Sequence, residues 1–303
     1  GKKAEYQASV THLFGPLLEA TGLGDAGRGR LFIAPGNHDV DRDCFDVLPA
    51  DLLQTLKSPE PVADWLTDDR RRRALLGPMV DYTSFVSEYL GGYQDFGAYN
   101  PGYCHAHRLE LGAGFVTVLC FNSAWLSGQN KDLRGEVNDY GYLILGEPQI
   151  HSALAQASSS DLRIVVLHHP FEWLNLFDRN RVEERLGKEC HFILSGHQHM
   201  PQVKVIQGPR GDFVSIPAGA SYERRVPIEP RYANAYNFVH LDFDTGQGTV
   251  YLRRWSDRKT EWVEDSDSAD EGTYPFILPK ELGRVGKRTK PRTTTLEPAA
   301  QAS

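Results

Sequence analysis

The 303-residue chain has no apolar run approaching the length of a membrane span, which argues against a membrane partner. Its first residues, GKKAEYQASV, lack the apolar core of a secretory signal peptide, and they lack an initiator Met, which predicts an internal start within a longer parent chain. Cysteine is scarce. Cys44, Cys104, Cys120 and Cys190 form no Cys-x-x-Cys pair, so buried reduced thiols and a cytoplasmic protein are expected. An excess of positive charge is also missing: 33 basic against 40 acidic side chains leave a net charge of -7. That balance excludes a general nucleic-acid binder and leaves nucleic acid only as a substrate. A bound metal ion would reverse the field locally, so phosphorylated substrates stay open. There is no internal repeat.

What remains is an ordinary globular composition, 40% hydrophobic and 24% charged, with enough chain for one large α/β domain. Residues 4–22 have helical spacing, with Tyr6, Val10, Phe14, Leu17 and Leu18 on one side and Gly22 and Gly24 ending it. Residues 31–34 read as a short buried strand. Residues 41–110 read as a mostly helical insertion, whose run from Asp68 to Arg73 suits a solvated helix face. Strands are predicted over 115–121, 164–167, 192–194, 203–206, 213–216, 236–243 and 248–255, and helices over 147–158 and 179–187. The turn Asp244-Thr245-Gly246-Gln247-Gly248 suits a hairpin. Residues 261–272 carry six acids and residues 280–292 six bases. A domain over 1–283 and a flexible tail or linker over 284–303 are expected.

Three predicted strands run into polar loops: Gly36-Asn37-His38-Asp39, His168-His169-Pro170 and Gly196-His197-Gln198-His199. In α/β folds chemistry gathers beyond the carboxyl ends of strands, so loops distant in sequence can meet there. Imidazole and amide oxygen suit borderline divalent ions such as Mn, Fe, Zn, Co or Ni. His197-x-His199 places two rings on opposite sides of an extended segment, so each can serve one of two adjacent ions. Singly each motif has a plainer explanation. Gly, Asn and Asp favour turns, and paired histidines can end a strand with their hydrogen bonds satisfied. All three in this order make coincidence the weaker explanation.

The order of these motifs, within LFIAPGNHDVDRD, RIVVLHHPFEWL and HFILSGHQHMPQ, resembles the second half of the signature of calcineurin-like metallophosphoesterases. It is similar in particular to bacterial members that form one domain of larger proteins, in YNFVHLDFDTGQGTVYLRRW and the later Tyr274–Pro279 segment. The resemblance implies an α/β fold, a sandwich of two mixed β-sheets flanked by helices, here without its first strands. It implies two divalent metal ions, with Mn favoured. Asn37, His168 and His197 would hold one and His199 the other, with His169 beside the ligands. A hydroxide bridging the ions would attack the phosphorus of a phosphoester. His38 would protonate the leaving oxygen, and Asp39 would orient His38. Asn122, Tyr222, Arg224, Arg225 and Tyr236 are candidates to line the substrate pocket, with packing or surface the plainer reading; Arg224 and Arg225 are the best of them for holding substrate phosphate.

The family's opening Asp-x-His and bridging Gly-Asp have no counterpart here, since no Asp-x-His precedes Gly36 and Gly24-Asp25 follows a helix end. The resemblance thus predicts a domain truncated at its N-terminus, fused to further domains in its parent, and impaired as it stands. Two other readings stay open: a degenerate domain acting as a binding or regulatory module, and a metal-dependent nuclease.

Overall fold

The computed structural model describes residues 1–47, 49, 51–96, 102–111, 114–157, 160–197, 202–209, 211–219, 234–279 and 282. The expected boundary at residue 283 and the tail over 284–303 lie outside them.

The chain opens with helix α1 (Lys3–Ser9), a π-helical turn (Val10–Phe14) and α2 (Gly15–Ala20), ended by Gly22 and Gly24 at positive φ. Tyr6 and Leu18 are buried as the periodicity predicts, but Leu17 is exposed. The wider π turn rotates the following residues off the face that a straight α-helix would present. Helices α3 (Leu52–Thr55), α4 (Pro59–Thr67), α5 (Asp69–Leu75) and α6 (Val80–Leu90) follow. Tyr6 stacks on Phe85 of α6 at 4.8 Å, and Phe85 stacks on Tyr89 at 5.5 Å, which fixes the first helix against the fourth of this group. Asp68 caps α5 by accepting from Arg71 N–H, and Arg70, Arg71 and Arg73 are exposed, the solvated face expected of that run.

Strand β1 (Cys104–Leu111) corrects the helical assignment of residues 104–110. It pairs antiparallel with β2 (Gly114–Phe121) through their full lengths. Cys104, Ala106, Leu109 and Leu111 alternate with polar side chains, with one slip at Arg108, a period-two pattern that agrees with pairing to β2 and overrides the helical reading of the wider segment. From β2 the chain alternates through α7 (Glu147–Gln156), β3 (Leu162–Leu167), α8 (Leu176–Glu189) and β4 (Phe192–Ser195). Strands β5 (Lys204–Ile206) and β6 (Phe213–Pro217) complete a mixed six-stranded sheet of order β1-β2-β3-β4-β6-β5, in which β2, β3, β4 and β6 are parallel. Strands β7 (Ala235–Asp242), β8 (Gln247–Ser256), β9 (Glu261–Glu264) and β10 (Thr273–Ile277) form the second sheet, in which β8 pairs antiparallel with each of the others. The acidic run lies here, where Glu264 and Asp265 approach Arg253 and Arg254 of β8 at 3.8 Å.

Alternation along the strands divides the core in two. Val116, Val118, Cys120, Phe192, Val214 and Ile216 face the second sheet, meeting Val250, Leu252 and Phe276. Leu119, Phe121, Val165, Leu167 and Ile193 face the helices, meeting Leu66, Tyr82, Ile150, Val182 and Leu186. This is an α/β sandwich of two sheets flanked by helices. No helix among the described residues is long and apolar enough to cross a membrane. The cysteines are free, three of them buried.

Residues 31–34 are extended, as expected, but they join no strand ladder. Leu31 and Ile33 pack on the helix side and Phe32 on the sheet side, the period-two pattern of a strand. Side chains serve its carbonyls in place of a neighbour: Gln94 Nε2 donates to Leu31 O at 2.7 Å and Tyr82 OH to Ile33 O at 3.1 Å.

Asp178, on the first turn of α8, ties that helix to the start of α7. It accepts from Leu145 N–H at 2.6 Å and from Gly146 N–H at 3.2 Å. Burial outweighs these bonds and pushes its carboxyl up to about 6. A carboxyl whose pKa rises on folding favours the fold when protonated, so that contribution is complete below the unfolded value and is lost as pH rises to about 6. The difference from an ordinary aspartate near 3.9 corresponds to about 3 kcal/mol. Asp178→Asn keeps an acceptor oxygen and removes the titration. Its stability relative to the native chain is expected to improve by up to about 3 kcal/mol between pH 4 and pH 7, read from urea midpoints at each pH.

Candidate metal centre

The three motif loops converge. The parallel register pairs Leu167 with Ser195, so the segments leaving β3 and β4 emerge side by side, and Gly196 N–H donates to His168 O at 2.9 Å. The extended segment 31–34 delivers Gly36 and Asn37 to the same place. His168 Nε2 lies 3.0 Å from Asn37 Oδ1 and 3.0 Å from His197 Nδ1. Ligands about 2.1 Å from an ion and at right angles are separated by about 3.0 Å, so this spacing matches the edge of a coordination shell. Burial, together with His197 and His38, presses the His168 imidazole down to about 3, which leaves its ring nitrogen unprotonated and free to ligate. The residues present therefore fit a divalent ion.

Both motif glycines have a spatial reason. A Cβ on Gly36 would stand 2.9 Å from His168 Nδ1, and one on Gly196 would stand 3.4 Å from the same atom. The imidazole is thus enclosed by two backbones that approach it closely because they carry no side chain. His197 itself takes φ 63°, in the left-handed region that costs an L-residue about 1–2 kcal/mol. Such strain, held in place by surrounding structure, is concentrated at functional sites.

His38 is exposed at the rim, close enough for its charge to be felt at His168. A hollow of about 460 Å³ beside it is lined by Lys2, Tyr6, His38, Asp39 and Arg42 among others. Asp39 was expected to orient the His38 ring; its bonds serve the turn. Asp39 Oδ2 accepts from Gly36 N–H at 2.7 Å, closing the turn that carries Asn37 and His38, and Oδ1 accepts from Tyr6 OH at 2.7 Å. The carboxylate is drawn to these donors because both are fixed by neighbouring elements. Tyr6→Phe keeps the aromatic stack and removes that donor. It is expected to cost about 2 kcal/mol in urea unfolding and to weaken metal affinity about tenfold, as loss of an outer partner does.

Three residues that sequence reasoning passed over or placed lower belong to the cluster. His169 is wholly buried, with its ring centroid 4.6 Å from those of His168 and His197. Ser123, at the end of β2, meets His169 Nδ1 at 3.1 Å, and Trp173 stands edge-on to His197 at 4.1 Å. Their signal was position alone: each lies within a few residues of a strand end. The ligand atoms of His168, His169 and His197 lie within 4.8 Å of one another, and the cluster formed by the described residues holds no carboxylate.

Other expected positions fall elsewhere. His199, Arg224, Arg225 and Tyr222 lie outside the described residues. Asn122 is buried and bonded internally: Nδ2 donates to Gly102 O at 2.6 Å and Oδ1 accepts from Ala124 N–H at 2.8 Å. Tyr236 packs edge-on against Trp262 at 4.7 Å on the second sheet. Asp25 pairs with Arg28 and with the Tyr93 hydroxyl, so the Gly24-Asp25 pair is engaged away from the cluster.

Fold and site together define an α/β sandwich with a histidine-rich, metal-competent cluster at the carboxyl ends of parallel strands. The chain is 21% identical over 272 residues to an uncharacterized metallophosphoesterase-like protein, YydB, of Bacillus subtilis (strain 168). The similarity covers 86% of this chain and 51% of the relative, so the chain spans about half the length of the curated protein it matches. A crystal structure of a hypothetical protein from Thermus thermophilus aligns with 57% of this chain and 62% of its own, at 12% identity and a TM-score of 0.26. No protein-family model matches the chain.

Proposed function

We propose that this chain is the metal-binding part of a calcineurin-like phosphoester hydrolase acting on phosphodiesters or phosphomonoesters. The observation that carries the reading is the meeting of Asn37, His168 and His197 from three strand-end loops with 3.0 Å spacings at His168 Nε2. Similarity to a protein named metallophosphoesterase-like supports the same class.

Asn37 Oδ1, His168 Nε2 and His197 Nδ1 would hold one divalent ion, and His199 would serve a second, with Mn favoured for both. When bound, such ions supply Lewis-acid activation of water and neutralise charge on phosphoryl oxygens. The remaining work falls to the chain. A neutral amide and imidazole set leaves the charge of a bound ion uncompensated, which favours an anionic substrate. His38, exposed beside the hollow, would give its proton to the departing oxygen. Asp39, braced by Tyr6, holds the turn that sets His38 and Asn37 relative to each other. Trp173, edge-on to His197 at 4.1 Å, would limit water on that side of the ligands. With no carboxylate in the described cluster, the second ion would be held weakly, and turnover would be low.

The test is hydrolysis of bis-p-nitrophenyl phosphate and p-nitrophenyl phosphate with and without added Mn²⁺, in the native chain and in His168→Ala. Expected is slow, metal-dependent release of p-nitrophenol that His168→Ala abolishes. Metal binding with no hydrolysis of either ester would favour a binding or regulatory module.

A further inference from the structure

His169 is fully buried, and its Nε2 meets no hydrogen-bond partner. Its other polar atoms are engaged. Ser123 Oγ lies 3.1 Å from Nδ1 and accepts from His169 N–H at 3.0 Å. An unpaired buried polar atom costs about 1–3 kcal/mol. Both neutral tautomers leave Nε2 unpaired, as an N–H without an acceptor or as a lone pair without a donor. Only the second can be relieved by a Lewis acid. It is the tautomer in which Nδ1–H donates to Ser123 Oγ, the outer bond by which proteins set a ligating imidazole.

The rings are arranged for this. His168 and His169 are inclined at 87°, His169 and His197 at 55°, and His168 and His197 at 73°, with centroids 4.6 to 5.0 Å apart. The three imidazoles do not stack, and one ring nitrogen from each lies within 4.8 Å of the others, so a small shift of His169 would bring its Nε2 to the same ion. Successive side chains of a regular strand point to opposite faces, but β3 ends at Leu167, so the constraint does not hold for the two histidines beyond it.

Resting on the metal-binding reading above, we propose that His169 Nε2 is a further ligand to the ion held by Asn37, His168 and His197, giving three imidazoles and one amide. His169 then acts in the ligand set itself, and Ser123 is the positioning residue that selects its tautomer.

Zinc tests this. His199→Ala removes the other histidine of the third motif, and in that background the protein is loaded with one equivalent of Zn²⁺. X-ray absorption counts the imidazoles, and competition with a chromophoric chelator gives the affinity. Three imidazoles are expected, falling to two when His169→Gln is added, with affinity lower by about a hundredfold. Two imidazoles before the change would overturn the proposal without need of the variant. Ser123→Ala leaves every ligand in place and is expected to weaken zinc about tenfold; unchanged affinity there would also count against it. A protein that takes up no zinc at all would overturn the metal reading beneath it, a separate outcome.

Discussion

Gly36→Ala is expected to weaken metal binding by about a hundredfold or more, although it removes no ligand and adds one methyl group. The added Cβ would lie 2.9 Å from His168 Nδ1 and 3.0 Å from both Cε1 and Cγ, closer than such atoms approach. One of the two must move. The imidazole has little room, because Gly196 lies close to the same nitrogen and the His169 ring stands edge-on to it at 4.6 Å. If the ring yields, His168 Nε2 leaves the 3.0 Å positions relative to Asn37 and His197. If the backbone yields, Asn37 moves instead, and Asp39 loses its bond to Gly36 N–H. Either displacement spoils a coordination shell that tolerates only a few tenths of an ångström. The global fold bears little of the change, so thermal unfolding without metal is expected to shift by only a few degrees. Titration with Zn²⁺ or Mn²⁺ beside the unfolding curve separates the two effects. An affinity equal to that of the native chain would show that His168 is not confined as described.

His38→Ala is expected to do the reverse: turnover falls by about two to four orders of magnitude while metal affinity stays close to that of the native chain. His38 is exposed and offers its ring to the hollow. The ligands proposed for the ion come instead from its neighbour Asn37 and from the loops after β3 and β4. Removing a general acid raises the barrier for departure of a poor leaving group most. The loss should therefore be larger for an alkyl phosphoester than for a p-nitrophenyl ester, whose leaving group needs little protonation. Equal losses on both esters would point to a binding role for His38. A parallel loss of metal affinity would make it a ligand.

Much of this was legible in the chain. Residues 164–167 and 192–194 are apolar runs followed by polar loops, and their partial or full burial on both faces is what a parallel sheet demands. The motif residues Asn37, His168 and His197 were readable because glycine, amide and imidazole at strand ends have few purely structural reasons to recur in that order. The strand at 104–111 was legible too, since Cys104, Ala106, Leu109 and Leu111 alternate with polar side chains, but the helical reading of the wider 41–110 segment passed over that period-two signal. Other features were hidden because they depend on partners distant in sequence. Residues 31–34 kept a strand's alternation but found Gln94 and Tyr82 in place of a neighbouring ladder. Asp39 could be read only as a carboxylate next to a histidine, since nothing local announced Tyr6, 33 positions away, as its partner.

The sequence by itself therefore determined the class of architecture, the periodicities that separate helices from strands, and the donor types available to an ion, since each follows from side-chain chemistry and short-range spacing. Only the tertiary structure decided which donors share a point in space, why Gly36 and Gly196 must lack side chains, and that His169 belongs among the histidines with its Nε2 unpaired. Those outcomes depend on how three loops approach one another, and that approach is set by the register of β3 against β4 and by the packing of the segment that carries Asn37.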